Sequence, residues 1–239
     1  MSIQNSCARF GRMVASLLLV SAIAAPGAAD NSTRLIDAIK AGDRPAMAGL
    51  LAEPSEVQAR TPDGTTALHW AARMDDLSTV RSLLRAGANV NAANRYGVTP
   101  MALAATNGNV EIVAALLTGG ADAIASLPEG ETVLMTAART GNPEVVRQLI
   151  AHGASVDARE QWLGETALMW AAAHNHAAAV GVLLELGAKP DLASNLTGYK
   201  RPIGGQTILP RGGFTALMYA AREGAIVGDV HFLRRRHVP

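Results

Sequence analysis

Apolar and polar positions form a block that returns along the chain at 33-residue spacing, with one step of 34 residues and a last step of 49. Each block opens with a threonine and continues with apolar positions and an Ala-Ala pair, and every block but the last closes at a Gly-Ala step. The opening segments are residues 66–72, 99–105, 132–138, 166–172 and 215–221. A fixed period of this length is the sequence signature of stacked repeats, in which each unit buries its apolar face against its neighbours.

Each block predicts two short helices. The threonine can accept hydrogen bonds from the free backbone N–H groups of a helix that begins there. We expect this first helix to end near Gly108, Gly141 or Gly224, because glycine tolerates the left-handed conformation of a helix end. Asp75 and Asn175 occupy the same position in two other blocks and tolerate that conformation better than most residues.

The second helix of each block carries apolar residues at i, i+3 and i+4, as in Val80, Leu83 and Leu84. It is expected to end at the Gly-Ala step. The chain contains 46 alanines, which explains how it is 49% hydrophobic with only 4% aromatic residues. The Ala-Ala pairs allow neighbouring helices to approach closely, so the apolar residues indicate many packed helices.

These blocks resemble ankyrin repeats, whose signature is Thr-Pro-Leu-His-x-Ala-Ala, then Gly, then Val-x-x-Leu-Leu-x-x-Gly-Ala. The resemblance covers roughly residues 31–233, although only His69 occupies the histidine position. It implies an all-α ankyrin-repeat solenoid of about six stacked helix–turn–helix units with loop or β-turn fingers, the last unit incomplete. The expected units lie near residues 31–62, 63–95, 96–128, 129–162, 163–193 and 213–239, in a repeat domain over 30–239 with an inserted loop at 194–212.

Two units depart from the signature. The first has Pro54 where glycine is expected, and we interpret it as an N-terminal capping unit. The last places Asp229 at a valine position and Arg236 at the terminal glycine position. We therefore expect a truncated array or the N-terminal part of a longer protein with further domains. The whole chain also resembles exported bacterial proteins made of ankyrin repeats.

The first 29 residues have the order of a secretory signal peptide. Arg9 and Arg12 precede an apolar run from Met13 to Ala25, and small residues follow just before Asp30. The alternative is a membrane anchor, but about 13 apolar residues are fewer than the roughly 20 that span a bilayer. The sequence thus predicts cleavage before Asp30, no stable membrane insertion afterwards, and a periplasmic or secreted location.

Charge and residue chemistry exclude several classes of function. The chain has 21 Lys+Arg against 20 Asp+Glu, and removal of residues 1–29 leaves 19 against 20, so composition gives no case for nucleic-acid binding. The single cysteine, Cys7, excludes a disulfide scaffold or a cysteine-built zinc site. His174 and His176 suggest a metal pair, but residues two apart do not share a helix face. We expect no catalytic residue, no cofactor and no metal.

The resemblance implies a protein partner bound on a concave face built from loop tips and first helices. Tyr96, Trp162 and Phe214 stand out, because exposed aromatic side chains are enriched among binding hot spots. The alternative for each is that it covers a neighbouring unit. For the inserted loop, the alternative to partner contact is a tolerated extra length of chain. The expected partner-binding residues are Arg73, Arg95, Tyr96, Asn107, Glu129, Arg139, Trp162, Leu163, His174, Tyr199, Lys200, Arg201, Arg211, Phe214 and Arg222.

Three further aromatic residues, Trp70, Trp170 and Tyr219, share one position within the first helix and are interpreted as packing between units. His69 is expected to form hydrogen bonds within the turn that precedes its helix. The sequence therefore favours a non-catalytic protein-interaction scaffold. The alternative function is an accessory or stabilising factor for an exported enzyme.

Overall fold

The computed structural model describes residues 33–195 and 212–223, and these two ranges contain twelve α-helices. The helices are α1 (Arg34–Ala41), α2 (Arg44–Leu50), α3 (Pro54–Val57), α4 (Ala67–Arg73), α5 (Leu77–Arg85), α6 (Pro100–Asn107), α7 (Val110–Thr118), α8 (Val133–Thr140), α9 (Pro143–Ala151), α10 (Ala167–Ala173), α11 (Ala177–Glu185) and α12 (Ala216–Arg222). In the same ranges no helix has the length and apolarity needed to cross a membrane. The predicted signal peptide and residues 224–239 lie outside them.

Threonine hydroxyls begin the repeated first helices, as the sequence predicts. Thr66, Thr99, Thr132, Thr166 and Thr215 each accept a hydrogen bond from the backbone N–H three residues ahead. A cap of this kind contributes about 1 kcal/mol to the stability of a helix. The block pattern therefore sets where α4, α6, α8, α10 and α12 start.

The turn from the first helix of a pair to the second passes through a left-handed residue. Gly108 and Gly141 have φ of 69° and 86°, and Asp75 and Asn175 have φ of 61° and 57°. The prediction for these four positions is confirmed. Gly224 lies outside the described residues.

The helices stack in two rows. The first-helix row comprises α1, α4, α6, α8, α10 and α12, and each member contacts the next. In the second-helix row, α5 contacts α7, α7 contacts α9 and α9 contacts α11. The core lies between the rows and contains the apolar residue two places after each of the first four capping threonines: Leu68, Met101, Leu134 and Leu168 are all buried. Buried alanines such as Ala71 and Ala104 separate adjacent first helices, which explains the alanine content.

A short turn, called a finger here, precedes each of α4, α6, α8, α10 and α12. A backbone hydrogen bond of 2.8–3.1 Å closes each finger, from the N–H of residue 61, 94, 127, 160 or 194 to a carbonyl just before the capping threonine. In the last finger this bond joins Ser194 to Phe214 at 2.9 Å. The predicted insertion therefore departs from and returns to the base of one finger. Its residues 196–211 lie outside the described ranges.

Candidate protein-binding surface

The finger before α6 presents an aromatic ring to solvent. The Asn94 side chain fixes the turn, because its Oδ1 accepts hydrogen bonds from the N–H groups of Tyr96 and Val98, both at 3.0 Å. Tyr96 is 56% exposed, and the Arg95 guanidinium lies 4.8 Å from the centre of its ring. Tyr96 is thus an exposed aromatic on an ordered turn, as a contact residue requires.

The finger before α10 presents a larger apolar surface. Trp162 is 74% exposed and Leu163 is 38% exposed. The carboxylate of the buried Glu160 accepts hydrogen bonds from three backbone N–H groups, those of Trp162 at 2.6 Å, Leu163 at 2.7 Å and Glu165 at 2.9 Å. The buried Glu160 carboxylate therefore fixes the backbone of the turn on which Trp162 and Leu163 are exposed.

The fingers before α4 and α6 are joined through their backbones, as are those before α8 and α10. The Arg95 N–H donates to the carbonyl of Asp63 at 2.8 Å, and the Gln161 N–H donates to that of Glu129 at 3.0 Å. Hydrogen bonds from Thr61 and Thr65 lower the pKa of the Asp63 carboxyl to about 2. The Asp63 side chain therefore forms its hydrogen bonds within its own finger. Arg95, Tyr96, Glu129, Trp162 and Leu163 are exposed on these fingers.

Trp70 on α4 forms a cluster with two cations. The Lys40 Nζ lies 4.7 Å from the centre of the indole ring, and the Arg73 guanidinium carbon lies 5.7 Å from it. Lys40 belongs to the preceding helix pair, so the cluster spans the contact between α1 and α4. Trp70 is half-buried against the core, which confirms its interpretation as packing between units.

A second cluster occupies the same repeat position on α10. The guanidinium carbon of Arg139, from the preceding pair, lies 5.5 Å from the centre of the Trp170 ring. Arg139 also lies 3.5 Å from the Glu131 carboxylate, and Glu131 accepts a hydrogen bond from the Thr136 hydroxyl at 2.8 Å. His174 is exposed beside this cluster and, with Arg139 and Trp170, lines one small surface cavity.

Phe214 is part of a packed group rather than an isolated anchor. Its ring centre lies 5.5 Å from that of the buried Tyr219, and Arg222 covers both rings. The Tyr219 hydroxyl donates to Glu165 of the preceding finger. Burial, followed by that hydrogen bond, raises the pKa of Tyr219 to about 12. Phe214, Tyr219 and Arg222 belong to the same expected unit, 213–239, so this packing lies within one unit and is not the expected coverage of a neighbouring unit.

His69 lies at the start of α4 and is buried. Its Nδ1 accepts a hydrogen bond from the Thr66 N–H at 3.2 Å, so Nε2 carries the proton and donates to the Val98 carbonyl at 2.9 Å. The expected hydrogen bond in the turn is confirmed, and the bond to Val98 adds a link to the next finger. Burial lowers the pKa of the His69 imidazole.

The sequence argument about His174 and His176 was wrong in its geometry. The two residues lie not in one helix but on either side of the turn between α10 and α11, where Asn175 has φ of 57°. Their rings are nearly parallel, with centres 6.2 Å apart. In the described part of the chain, no group of three His, Cys, Asp or Glu side chains is placed to hold a metal ion.

The remaining predicted contact residues are distributed as follows. Arg73, Asn107, Arg139 and Arg222 are exposed at the ends of the first helices. The Asn107 side chain also donates to the Ala72 carbonyl at 3.0 Å, and this hydrogen bond joins α6 to α4. Four predicted residues lie outside the described ranges, namely Tyr199, Lys200, Arg201 and Arg211.

Sequence reasoning missed two residues that organise this surface, Lys40 and Glu160. Lys40 stands seven places after Thr33, as Arg73 stands seven places after Thr66, so the repeat register could have paired it with Trp70. Glu160 stands where the preceding fingers have Thr61, Asn94 and Leu127. No sequence signal distinguishes a buried carboxylate there from an exposed one.

Comparison with known proteins agrees with the two rows of helices and their fingers. The family model for ankyrin repeats (3 copies) matches residues 35–126 and 120–194. No curated protein matches the chain at a significant level. Ankyrin repeats generally act as protein–protein interaction modules and are typically non-catalytic. The match covers more than half of the sequence, and the chain therefore belongs to the ankyrin repeat family.

Proposed function

We propose that this protein is a non-catalytic scaffold that binds a partner protein through its first-helix face, meaning the fingers together with the exposed side chains of the first-helix row. The observation that carries the proposal is the exposed Trp162–Leu163 pair on the finger that Glu160 organises. Large apolar side chains on a rigid turn lose little conformational entropy on binding, so they contribute strongly to affinity.

Tyr96 supports the same proposal from a second finger. Tyrosine and tryptophan are enriched in binding hot spots, where a few residues supply most of the affinity. Tyr96 and Trp162 occupy the tips of two fingers, with the finger before α8 between them. A partner that spans three fingers would contact both rings and would bury apolar area that is otherwise in water.

The experiment is affinity capture from cells that express the full chain, followed by measurement of the recovered partner with variants. Trp162→Ala is expected to lower affinity at least 10-fold, as is typical of a hot-spot residue. Leu163→Ala has a matched control in Leu186→Ala, because both leucines are 38% exposed but Leu186 follows α11 in the second-helix row. Equal effects of the two leucine substitutions, or unchanged recovery with Trp162→Ala, would refute the proposed face.

A further test separates the apolar contact from the order of the finger. Glu160→Gln keeps the size of the side chain but replaces one carboxylate oxygen by a donor, so fewer than three N–H groups can be accepted. We expect weaker partner binding although Trp162 and Leu163 are unchanged. Wild-type affinity in Glu160→Gln, with Trp162→Ala still impaired, would assign the effect to the indole alone.

We also propose that the scaffold acts outside the cytosol after removal of residues 1–29. The support is the order of charged, apolar and small residues before Asp30. N-terminal sequencing of the protein recovered from the producing cell tests this, with Asp30 as the expected first residue. Recovery with Met1 intact in the cytosol would contradict the proposal.

A further inference from the structure

The two tryptophan clusters occupy the same repeat position but differ in the number of cations on the ring and in charge. In the N-terminal cluster, Lys40 and Arg73 both lie on the Trp70 ring, and the acid paired with them is Asp37, 3.5 Å from the Lys40 Nζ. Arg73 is exposed and forms no ion pair among the described residues. The formal charge of this cluster is therefore +1.

In the C-terminal cluster, by contrast, the single cation is already neutralised. Arg139 lies 5.5 Å from the Trp170 ring centre and 3.5 Å from the Glu131 carboxylate. A second acid, Glu165, lines the same surface cavity and accepts the hydrogen bond from Tyr219. A carboxylate from a partner would meet repulsion here that is absent at Trp70.

We propose that the cluster of Lys40, Trp70 and Arg73 is a carboxylate-binding subsite, and that the partner presents an acidic, extended segment to it. This inference rests on the proposed function and adds the chemistry of the partner. Its basis is charge complementarity at one end of the first-helix face, whereas at the matching position beside Trp170 the cation Arg139 is outnumbered by the acids Glu131 and Glu165.

The geometry of Arg73 suits a carboxylate. A guanidinium lying against an aromatic face keeps its outer N–H groups free and retains little rotational freedom to lose. It can donate two parallel hydrogen bonds to one carboxylate, which is stronger and more directional than a contact with Lys40. Trp70 then supplies an apolar wall for the methylene groups of an aspartate or glutamate.

An extended segment fits the spacing of the neighbouring helices. Packed helices lie about 8–10 Å apart, and an extended chain advances about 3.3 Å per residue, so about three residues cross each helix. At the repeat position of Arg73, α6 carries the smaller Thr106, which is exposed. A segment that places a carboxylate on Arg73 therefore continues across α6 without meeting a long side chain at that position.

The test measures fluorescence anisotropy of labelled dodecapeptides with the full chain at low salt. The probes are alternating Glu-Ser, alternating Gln-Ser and alternating Lys-Ser peptides. We expect the Glu-Ser peptide to bind, and the other two to bind at least 10-fold more weakly. Added salt should weaken binding of the Glu-Ser peptide, because screening acts on exposed charges. Failure of the Glu-Ser peptide to bind better than the Gln-Ser peptide would overturn the inference.

Variants locate the subsite. Arg73→Ala is expected to weaken binding of the Glu-Ser peptide about 5- to 20-fold, since it removes a charge-assisted contact, and Arg73→Lys should restore part of the loss. The matched control is Arg139→Ala, which removes the cation that lies on the Trp170 ring, and Arg81→Ala controls for net charge from the second-helix row. Both controls should change affinity less than 2-fold. Equal weakening by Arg73→Ala and either control would overturn the subsite.

The inference and the proposed function fail in different ways. If a captured partner loses affinity with Trp162→Ala but not with Arg73→Ala, the first-helix face stands and the acidic subsite is rejected. If neither variant changes partner affinity, the proposed function itself is rejected. Arg73 is exposed and its side chain loses only its contact with the Trp70 ring, so its replacement should lower the thermal midpoint by no more than about 5 °C, and a lost peptide contact is not confused with unfolding.

Discussion

At two junctions between helix pairs, a histidine Nε2 forms a hydrogen bond with a backbone carbonyl of the neighbouring pair, but the two histidines differ in burial. Between the α4–α5 and α6–α7 pairs, His69 Nε2 donates to the Val98 carbonyl at 2.9 Å. Between the α8–α9 and α10–α11 pairs, His176 Nε2 lies 2.9 Å from the Arg139 carbonyl. His69 is only 1% exposed, whereas His176 is half-buried at the entrance to α11.

The difference shows that one kind of polar link can belong to the core or to the surface of a repeat stack. At the first junction, loss of the imidazole would leave a cavity and a carbonyl without a partner. At the second, water can reach the carbonyl once the ring is gone. The two junctions should therefore respond differently to the same substitution, although the histidine–carbonyl hydrogen bond across each of them is 2.9 Å long.

The largest expected effect is that of His69→Ala. Removing the buried ring loses its packing and leaves the Val98 carbonyl unpaired, so the free energy of unfolding should fall by about 2–4 kcal/mol. His176→Ala, the matched change at the second junction, should cost about 1 kcal/mol or less. Urea unfolding followed by circular dichroism measures both. Losses of equal size would show that burial does not distinguish the junctions.

The second prediction concerns Gly141, over which His176 packs. Gly141 has φ of 86°, and a Cβ built there would lie 2.4 Å from the His176 Nδ1. We expect Gly141→Ala to destabilise the protein by about 2 kcal/mol, part from left-handed strain and part from displacement of the ring. Gly42→Ala is the control, since Gly42 has φ of 70° with nothing within 4 Å of its Cβ position, and should cost about 1 kcal/mol.

A double variant identifies the cause of the excess. If the ring accounts for it, adding His176→Ala to Gly141→Ala should recover the difference between Gly141→Ala and Gly42→Ala. No recovery would mean that the backbone, and not the histidine, is what requires glycine at this junction.

The third prediction is a pH dependence at the first junction. Burial lowers the pKa of His69 below its ordinary value of about 6.5. The unfolded chain therefore binds a proton more readily than the folded one, so the stability that the neutral ring contributes is present above about pH 6.5 and is lost as the pH falls toward the folded pKa. Protonation of Nδ1 would also oppose the Thr66 N–H that donates to it.

The measurement compares wild type with His69→Ala in urea at pH 7.5, 6.5 and 5.5. The difference in unfolding free energy between the two proteins should shrink as the pH falls, because the other histidines and carboxylates are common to both. A difference that stays constant or widens toward pH 5.5 would contradict the assignment of a neutral His69 to the folded state.

Much of the stack could be predicted from the sequence, because its elements depend on local rules. The capping threonines, the left-handed Asp75 and Asn175, and the apolar triplets of the second helices each act within a few residues. The hydrogen bond of His69 in its own turn is local in the same sense. Its bond to the Val98 carbonyl, 29 residues along the chain, depends on how the α4–α5 helix pair packs against the α6–α7 pair. No local sequence pattern predicts a contact between residues that far apart.

The candidate surface was less predictable for the same reason. Repeat register placed Tyr96 and Trp162 at finger tips, and the structure gives them exposures of 56% and 74%. Register alone could not say that Phe214 packs on Tyr219. Trp70 and Trp170 share a register position, yet their charge environments differ. Lys40 lies beside Trp70 and Glu131 lies near Trp170, and both residues come from other units.

The smallest expected effect tests whether His176 is a substitute for the usual cap at its position. The equivalent residue Asn142 accepts hydrogen bonds from the Glu144 and Val145 N–H groups at 3.0 and 3.3 Å and donates to the Gly108 carbonyl at 2.8 Å. His176 reaches back to the preceding pair but makes no side-chain cap for α11. His176→Asn should therefore raise the unfolding free energy by about 0.5–1 kcal/mol, because one residue can then cap and link.

The reverse substitution, Asn142→His, supplies the matched control and should lower stability by a similar amount. Urea unfolding at pH 7.5 measures both changes. Each variant is compared with the unchanged protein, so histidine and asparagine are compared at position 176 and at position 142. If His176→Asn is destabilising, the ring contributes more through its packing over Gly141 than a cap would add. The second junction would then resemble the first, with a histidine retained for its fit between units and not for one exposed hydrogen bond.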